Sequence, residues 1–175
     1  TVAGMFKKWG ARVIDADALG HRVIDLPRIR ARLVEDWGRE ILRGGRVDRA
    51  ALARKAFRSR ASVERLNRRV HPEILRRIRR EIARTKGWVV LDAALLYEAG
   101  ADALCDRGVY VRVPRALRER RLRKTRGWAP GERARRERFQ LSVAYKEKKA
   151  DFVVDNTGSK LRTERQARNI YDEIR

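Results

Sequence analysis

Val89-Val90-Leu91-Asp92-Ala93-Ala94-Leu95-Leu96-Tyr97-Glu98-Ala99-Gly100 is the stretch on which the reading of this chain turns. Trp88 to Leu91 is apolar without alternation, the pattern of a strand buried on both faces of a parallel sheet. The run stops at Asp92, a carboxylate at the carboxyl end of a strand, which in open α/β sheets is the edge where ligands bind. A short apolar segment, Leu95 to Tyr97, then closes with Glu98 and Gly100. The alternative for Asp92 taken alone is an N-cap for that segment. A catalytic or metal-facing role requires partners elsewhere in the chain.

Toward the amino terminus, Ala11 to Ile14 reads as a short strand ending in Asp15-Ala16-Asp17. Asp17 is placed to cap a helix carrying Leu19 and Val23, with His21 as a surface residue. Ahead of it, Val2, Met5, Phe6 and Trp9 share one helical face, and Gly10 stops that helix. The chain is expected to start inside a structural unit. Ile29, Leu33, Trp37 and Ile41 recur every four residues and predict one amphipathic helix. Gly44-Gly45 breaks it, and Asp48 caps the next. Ser62 opens a short helix through Val70; His71-Pro72 then starts the longest one, with Pro72 at its first position. On its own, His71 is read as a turn or capping residue.

Toward the carboxyl terminus, Gly108 to Val113 is a third strand, stopped by Pro114. Arg115 to Arg126 and the segment from Glu132 to Gln140 predict two basic helices hinged at Gly127-Trp128-Ala129-Pro130-Gly131. Such a charge run is usually a solvated face, but guanidinium forks also match phosphate oxygens. Phe152 to Asp155 is the last strand, and a helix with Leu161, Ile170, Tyr171 and Ile174 follows. Strands alternating with helices predict an α/β fold with a parallel sheet. The helical insertions, from Pro27 to Arg84 and from Arg115 to Ala150, are expected above its carboxyl edge.

The bulk composition agrees with one globular domain. The chain has 175 residues, 43% of them hydrophobic, and no apolar run of membrane-spanning length. A single cysteine, Cys105, excludes an internal disulfide and a cysteine-built metal site and suits a reducing cytosol. Lys and Arg number 45 against 23 Asp and Glu, a formal charge of +22 that predicts anionic partners.

In order and spacing, these pieces resemble the dephospho-coenzyme A kinase family of P-loop kinases. The resemblance runs from Thr1 to the end. It is carried by Val13-Ile14-Asp15-Ala16-Asp17-Ala18-Leu19, by Leu66-Asn67-Arg68-Arg69-Val70-His71-Pro72-Glu73-Ile74, and by Leu91-Asp92 with Leu95-Leu96-Tyr97-Glu98. Arg136 through Gln140-Leu141 to Lys146, and the segment Ala150-Asp151-Phe152-Val153-Val154-Asp155-Asn156-Thr157-Gly158, complete it.

The resemblance implies a three-layer α/β/α P-loop kinase domain over 1–175, with a helical acceptor-binding region at 27–86 and a basic lid at 115–150. It implies ATP with Mg²⁺, dephospho-CoA as acceptor, a cytoplasmic setting, and neither membrane nor specific nucleic acid as partner. By position, Asp17 corresponds to the base facing the ribose 3′-hydroxyl. Asp92 corresponds to the acid that reaches the Mg²⁺ shell, indirectly through water. Arg121 and Arg136 correspond to the phosphate-clamping arginines. Asn156 and Gly158 lie where the family's loop meets adenine, and His71, Leu95, Leu96, Tyr97 and Glu98 border the acceptor pocket.

The family's phosphate loop, G-x-x-x-x-G-K-S, and its preceding strand do not occur in these 175 residues, so the chain as given is expected to be inactive. Ala94 and Ser142 stand where the family usually has proline, and Thr125 where it has a lid arginine. Two other readings remain at this point: a basic nucleic-acid-binding module, and another nucleoside or nucleotide kinase on the same scaffold.

Overall fold

In a computed structural model, the described residues are 2–126, 134 and 137–174, excluding the side chains of 122–126. In chain order the elements are α1 (Val2–Lys8), β1 (Arg12–Asp15), α2 (Ala16–Val23), α3 (Pro27–Trp37), β2 (Leu42–Arg43), β3 (Arg46–Val47), α4 (Arg49–Ala56) and α5 (Arg60–Arg84). They continue with β4 (Val89–Asp92), β5 (Val109–Arg112), α6 (Arg115–Arg126), α7 (Val143–Lys149), β6 (Phe152–Asp155) and α8 (Lys160–Ile174). Short 3₁₀ turns occupy Arg39–Ile41 and Ala101–Leu104. The chain forms two compact units, one of Thr1–Val13, Gly87–Val90 and Leu96–Arg175, the other of Ile14–Lys86 and Leu91–Leu95.

In the first unit, β5 and β6 pair in parallel, with Val109 opposite Phe152 and Arg112 opposite Asp155. Helices α1 and α8 bury Val2, Met5, Phe6, Ala167, Ile170 and Tyr171 around Val154. Tyr171 donates from its hydroxyl to the carbonyl of Trp9 at 3.0 Å, so its ring is buried without stranding its polar end. Leu161, expected on this apolar face, is 59% exposed. It precedes Ile170 by nine residues, which at 100° per residue puts it on the opposite side of α8.

The second unit is helical around Val23, Leu33, Ile41, Leu52, Ala56 and Val70. The expected helix through Ile41 ends earlier. Gly38 adopts φ 83°, ψ 166°, a conformation open essentially to glycine alone, and Ile41 reaches the core from the 3₁₀ turn instead. Gly44 and Gly45, both at positive φ, form the turn of the β2–β3 hairpin. Asp48 caps α4 as expected, accepting from the amides of Ala50 and Ala51.

The two helices expected on either side of His71 are one helix, α5, with Pro72 inside it. An internal proline forgoes one backbone hydrogen bond and costs about 3 kcal/mol in an isolated helix. Packing on both sides outweighs that here. Val63 and Val70 before Pro72 and Ile78 after it are buried, and Arg69 holds Asp36 of α3 through Nε at 2.7 Å. Strands β1 and β4 are hydrogen-bonded neighbours, with Arg12 N donating to Trp88 O at 2.8 Å. Val89, Val90 and Leu91 are half-buried rather than buried, because among the described residues β4 pairs with β1 alone.

Candidate active site

Asp15, not Asp17, is the N-cap of α2: its Oδ1 accepts from the amide of Ala18 at 2.8 Å. As the last residue of β1 it has the extended backbone that an N-cap requires (φ −86°, ψ 103°), whereas Asp17 is already inside the first helical turn. Asp17 is exposed there, at the helix end where the peptide dipoles favour a negative charge. Asp92 is also exposed, as the last residue of β4. Among the described residues it accepts no capping bond from the turn that follows, so its side chain is not spent on local structure. The two acids thus lie at the carboxyl ends of neighbouring strands, Asp92 as the last residue of β4 and Asp17 two residues after β1.

Two acceptor-pocket candidates belong to the same unit, His71 and Leu95. His71 is half-buried in the interior of α5, not in a turn. Two residues on, Glu73 is 4% exposed and accepts from Arg76 (2.7 and 2.8 Å), Arg77 (2.8 Å) and Arg28. The hydrogen bonds from Arg76, followed by those from Arg77, hold its carboxyl down to about 2 against the upward push of burial. The sequence reading gave Glu73 no role. Its signal was present in the arginines three and four residues on, the spacing at which helical side chains meet.

Leu96, Tyr97 and Glu98 belong to the first unit. Tyr97 meets the edge of Tyr145, and the ammonium of Lys149 lies 5.3 Å from its ring centre. Burial, then the charge of Asp102, raises its phenol above the ordinary range. Glu98 accepts through Oε1 from the amide of Leu141 at 3.0 Å and from the ammonium of Lys146 at 2.7 Å, which fastens the start of α7 to the 97–102 segment. Its Oε2 is buried without a hydrogen-bond partner among the described residues.

The loop after β6 is densely bonded. Asn156 donates from its amide to Arg112 O at 2.9 Å, and its own carbonyl accepts from Arg121 Nη1 at 3.1 Å. Two expected site residues, Arg121 of the basic region and Asn156 of the nucleotide loop, are thereby brought together. Asp155 is held below the ordinary carboxylate range by the hydroxyl and then the amide of Thr157. Gly158 is not at positive φ, and a Cβ there would fall 3.2 Å from Cδ of Arg162, a flexible neighbour. Arg136, the remaining clamp candidate, lies outside the described residues, as do the 127–131 hinge and residues 132, 133 and 135 of the second basic segment. Among the described residues, no three His, Cys, Asp or Glu side chains are grouped to hold a metal, and no helix is long and apolar enough to cross a membrane.

A family model described as dephospho-CoA kinase matches residues 1–161. The chain is 40% identical over 99% of its length to the dephospho-CoA kinase of Corynebacterium diphtheriae, of which it covers 90%. Its fold matches the crystal structure of TT1252 from Thermus thermophilus with a TM-score of 0.83 at 32% identity, covering 99% of this chain and 90% of that one. It also matches a dephospho-CoA kinase from Campylobacter jejuni with a TM-score of 0.67 at 21% identity, covering 99% and 91%, a likeness of fold alone. Fold and matches together define the class as an ATP-dependent kinase built on a P-loop-type α/β scaffold. Within that class, the chain belongs to the dephospho-CoA kinase family.

Proposed function

We infer that this chain moves the γ-phosphoryl group of ATP onto the ribose 3′-hydroxyl of dephospho-CoA, completing coenzyme A. One observation carries the reading. The family match spans both Asp17 and Asp92, and both are exposed at the carboxyl ends of two paired strands, Asp92 as the last residue of β4 and Asp17 two residues after β1.

In this reading, Asp17 accepts the proton of the 3′-hydroxyl as its oxygen attacks the γ-phosphorus. The new O–P bond forms as the bond to the β-phosphate bridging oxygen breaks, and ADP leaves. Arg121 and Arg136 offset the charge that spreads over the transferring group. Asn156 and Gly158 border adenine; His71, Leu95, Leu96, Tyr97 and Glu98 border the acceptor. Residues 27–86 serve as the acceptor-binding region and 115–150 as the lid of one kinase domain acting in the cytoplasm.

The donor chemistry at Asp92 suits Mg²⁺. It is one exposed hard-oxygen ligand that belongs to no cluster of three or more His, Cys, Asp or Glu among the described residues, and Mg²⁺ characteristically keeps water and phosphate oxygens in its shell. The ion would draw charge from the phosphate oxygens, and Asp92 would orient one of its waters.

The test is transfer of labelled γ-phosphate to dephospho-CoA by the protein expressed with whatever its gene encodes ahead of Thr1. Labelled coenzyme A is expected. A protein that labels some other nucleoside or nucleotide and leaves dephospho-CoA untouched would refute the acceptor assignment.

A further inference from the structure

Asp155 is the last residue of β6, and its main-chain groups point away from β5, to which the next residue, Asn156, donates. A further strand would normally satisfy them. Here one side chain does so: Gln166 of α8 donates from Nε2 to Asp155 O at 2.9 Å and accepts through Oε1 from Asp155 N at 2.9 Å. A bond from the same Nε2 to Arg162 O, at 3.2 Å, fixes the orientation of the amide. One turn earlier on α8, the fully buried Thr163 lies with Oγ1 3.2 Å from Asn156 Oδ1 and 3.3 Å from Ser159 O. Asn156 also carries the Nδ2 donors of its side-chain amide, a chemical match for the ring-nitrogen acceptors of a purine. Both α8 residues lie beyond residue 161, where the family match ends.

We propose that Gln166 is a positioning residue for nucleotide binding: it stands in for a missing strand partner at Asp155 and so fixes the backbone from which Asn156 and Gly158 meet adenine. The proposal rests on the placement of adenine made under the proposed function. Its physical content is preorganisation. A loop already held in the bound conformation loses less freedom when the ligand arrives.

The test is calorimetric titration of the protein with ATP and, separately, with dephospho-CoA, comparing Gln166→Met and Gln166→Glu with the parent. Methionine keeps the length and helix preference of glutamine but removes both bonds. Glutamate keeps the acceptor and loses the donor. Two net hydrogen bonds at about 0.5–1.5 kcal/mol each correspond to a weakening of ATP binding by about 5-fold to 150-fold in Gln166→Met. Gln166→Glu is expected to fall between that variant and the parent, and dephospho-CoA binding to stay within twofold. Amide exchange at Asp155 should quicken in the same order as the ATP affinities fall. Unchanged ATP affinity despite faster exchange at Asp155 would overturn the proposal, as would equal weakening for both ligands. Failure of the parent protein to phosphorylate dephospho-CoA would instead count against the acceptor assignment, since the comparison of ATP affinities does not depend on it.

Discussion

Arg121 donates through Nη1 to the main-chain carbonyl of Asn156 at 3.1 Å, joining α6 to the loop that leaves β6. A guanidinium carries five N–H donors, so one side chain can hold this loop and still present donors to phosphate oxygens. Lysine keeps the charge but not the fork. Removing a donor that stabilises developing charge typically costs about 10²-fold in turnover, the loss expected for Arg121→Ala. Arg121→Lys should recover only part of it. Steady-state kinetics with ATP varied at saturating dephospho-CoA checks both.

Asp15 and Asp17 are two positions apart, and it is Asp15 that caps α2. Asp15→Ala removes the bond to the Ala18 amide and should lower stability by about 1 kcal/mol, read as an earlier midpoint in urea. Turnover per folded molecule should stay near that of the parent. A large loss of turnover without a shift in midpoint would mean that the cap is not what Asp15 provides.

Glu73 links stability to acidity. Its carboxyl is held down to about 2 in the folded chain, below the ordinary value of 4.5, so it binds fewer protons folded than unfolded. The stabilisation it supplies is complete above about pH 4.5 and is lost as the pH falls toward about 2. Glu73→Gln should therefore be less stable than the parent at pH 7, by an amount that shrinks on acidification through that window. Melting temperatures of both proteins from pH 7 to 2 give the comparison.

Gly38 ends α3 in a conformation that alanine adopts only under strain, and the carboxylate of Glu40 occupies the space a Cβ would take. Gly38→Ala should destabilise the protein by about 1–3 kcal/mol. Denaturant unfolding measures this. A neutral result would mean the backbone readily leaves φ 83° at this position.

Strands β1, β4, β5 and β6 were legible because each is a short β-rich run bounded by Gly, Pro or an acid, and Asp92 and Asp155 terminate strands as read; the two-residue strands β2 and β3 were not, being too short to show any alternation. Helix boundaries were less so. Pro72 carries a strong start signal, and only packing by residues such as Val63 and Ile78, with the Arg69–Asp36 pair, reveals a continuous α5. The Ile29–Ile41 periodicity is real, but the chain meets it with a helix and a separate turn, because side-chain spacing does not report the φ of Gly38. At the candidate site, the residue types came from motif order. Their bonding did not: Glu98 held by Lys146, Arg121 on Asn156, and Gln166 at Asp155 are long-range pairings or side-chain-to-backbone bonds that leave no periodic trace in a sequence.

The most direct test of the proton-accepting role given to Asp17 is the turnover number of Asp17→Asn, measured in the protein expressed with whatever its gene encodes ahead of Thr1. Loss of a positioned general base should lower kcat by about 10²–10⁴-fold while KM for dephospho-CoA stays within a few-fold. Parent-like kcat, or a raised KM with kcat intact, would contradict the assignment and leave Asp17 as a surface acid at the start of α2.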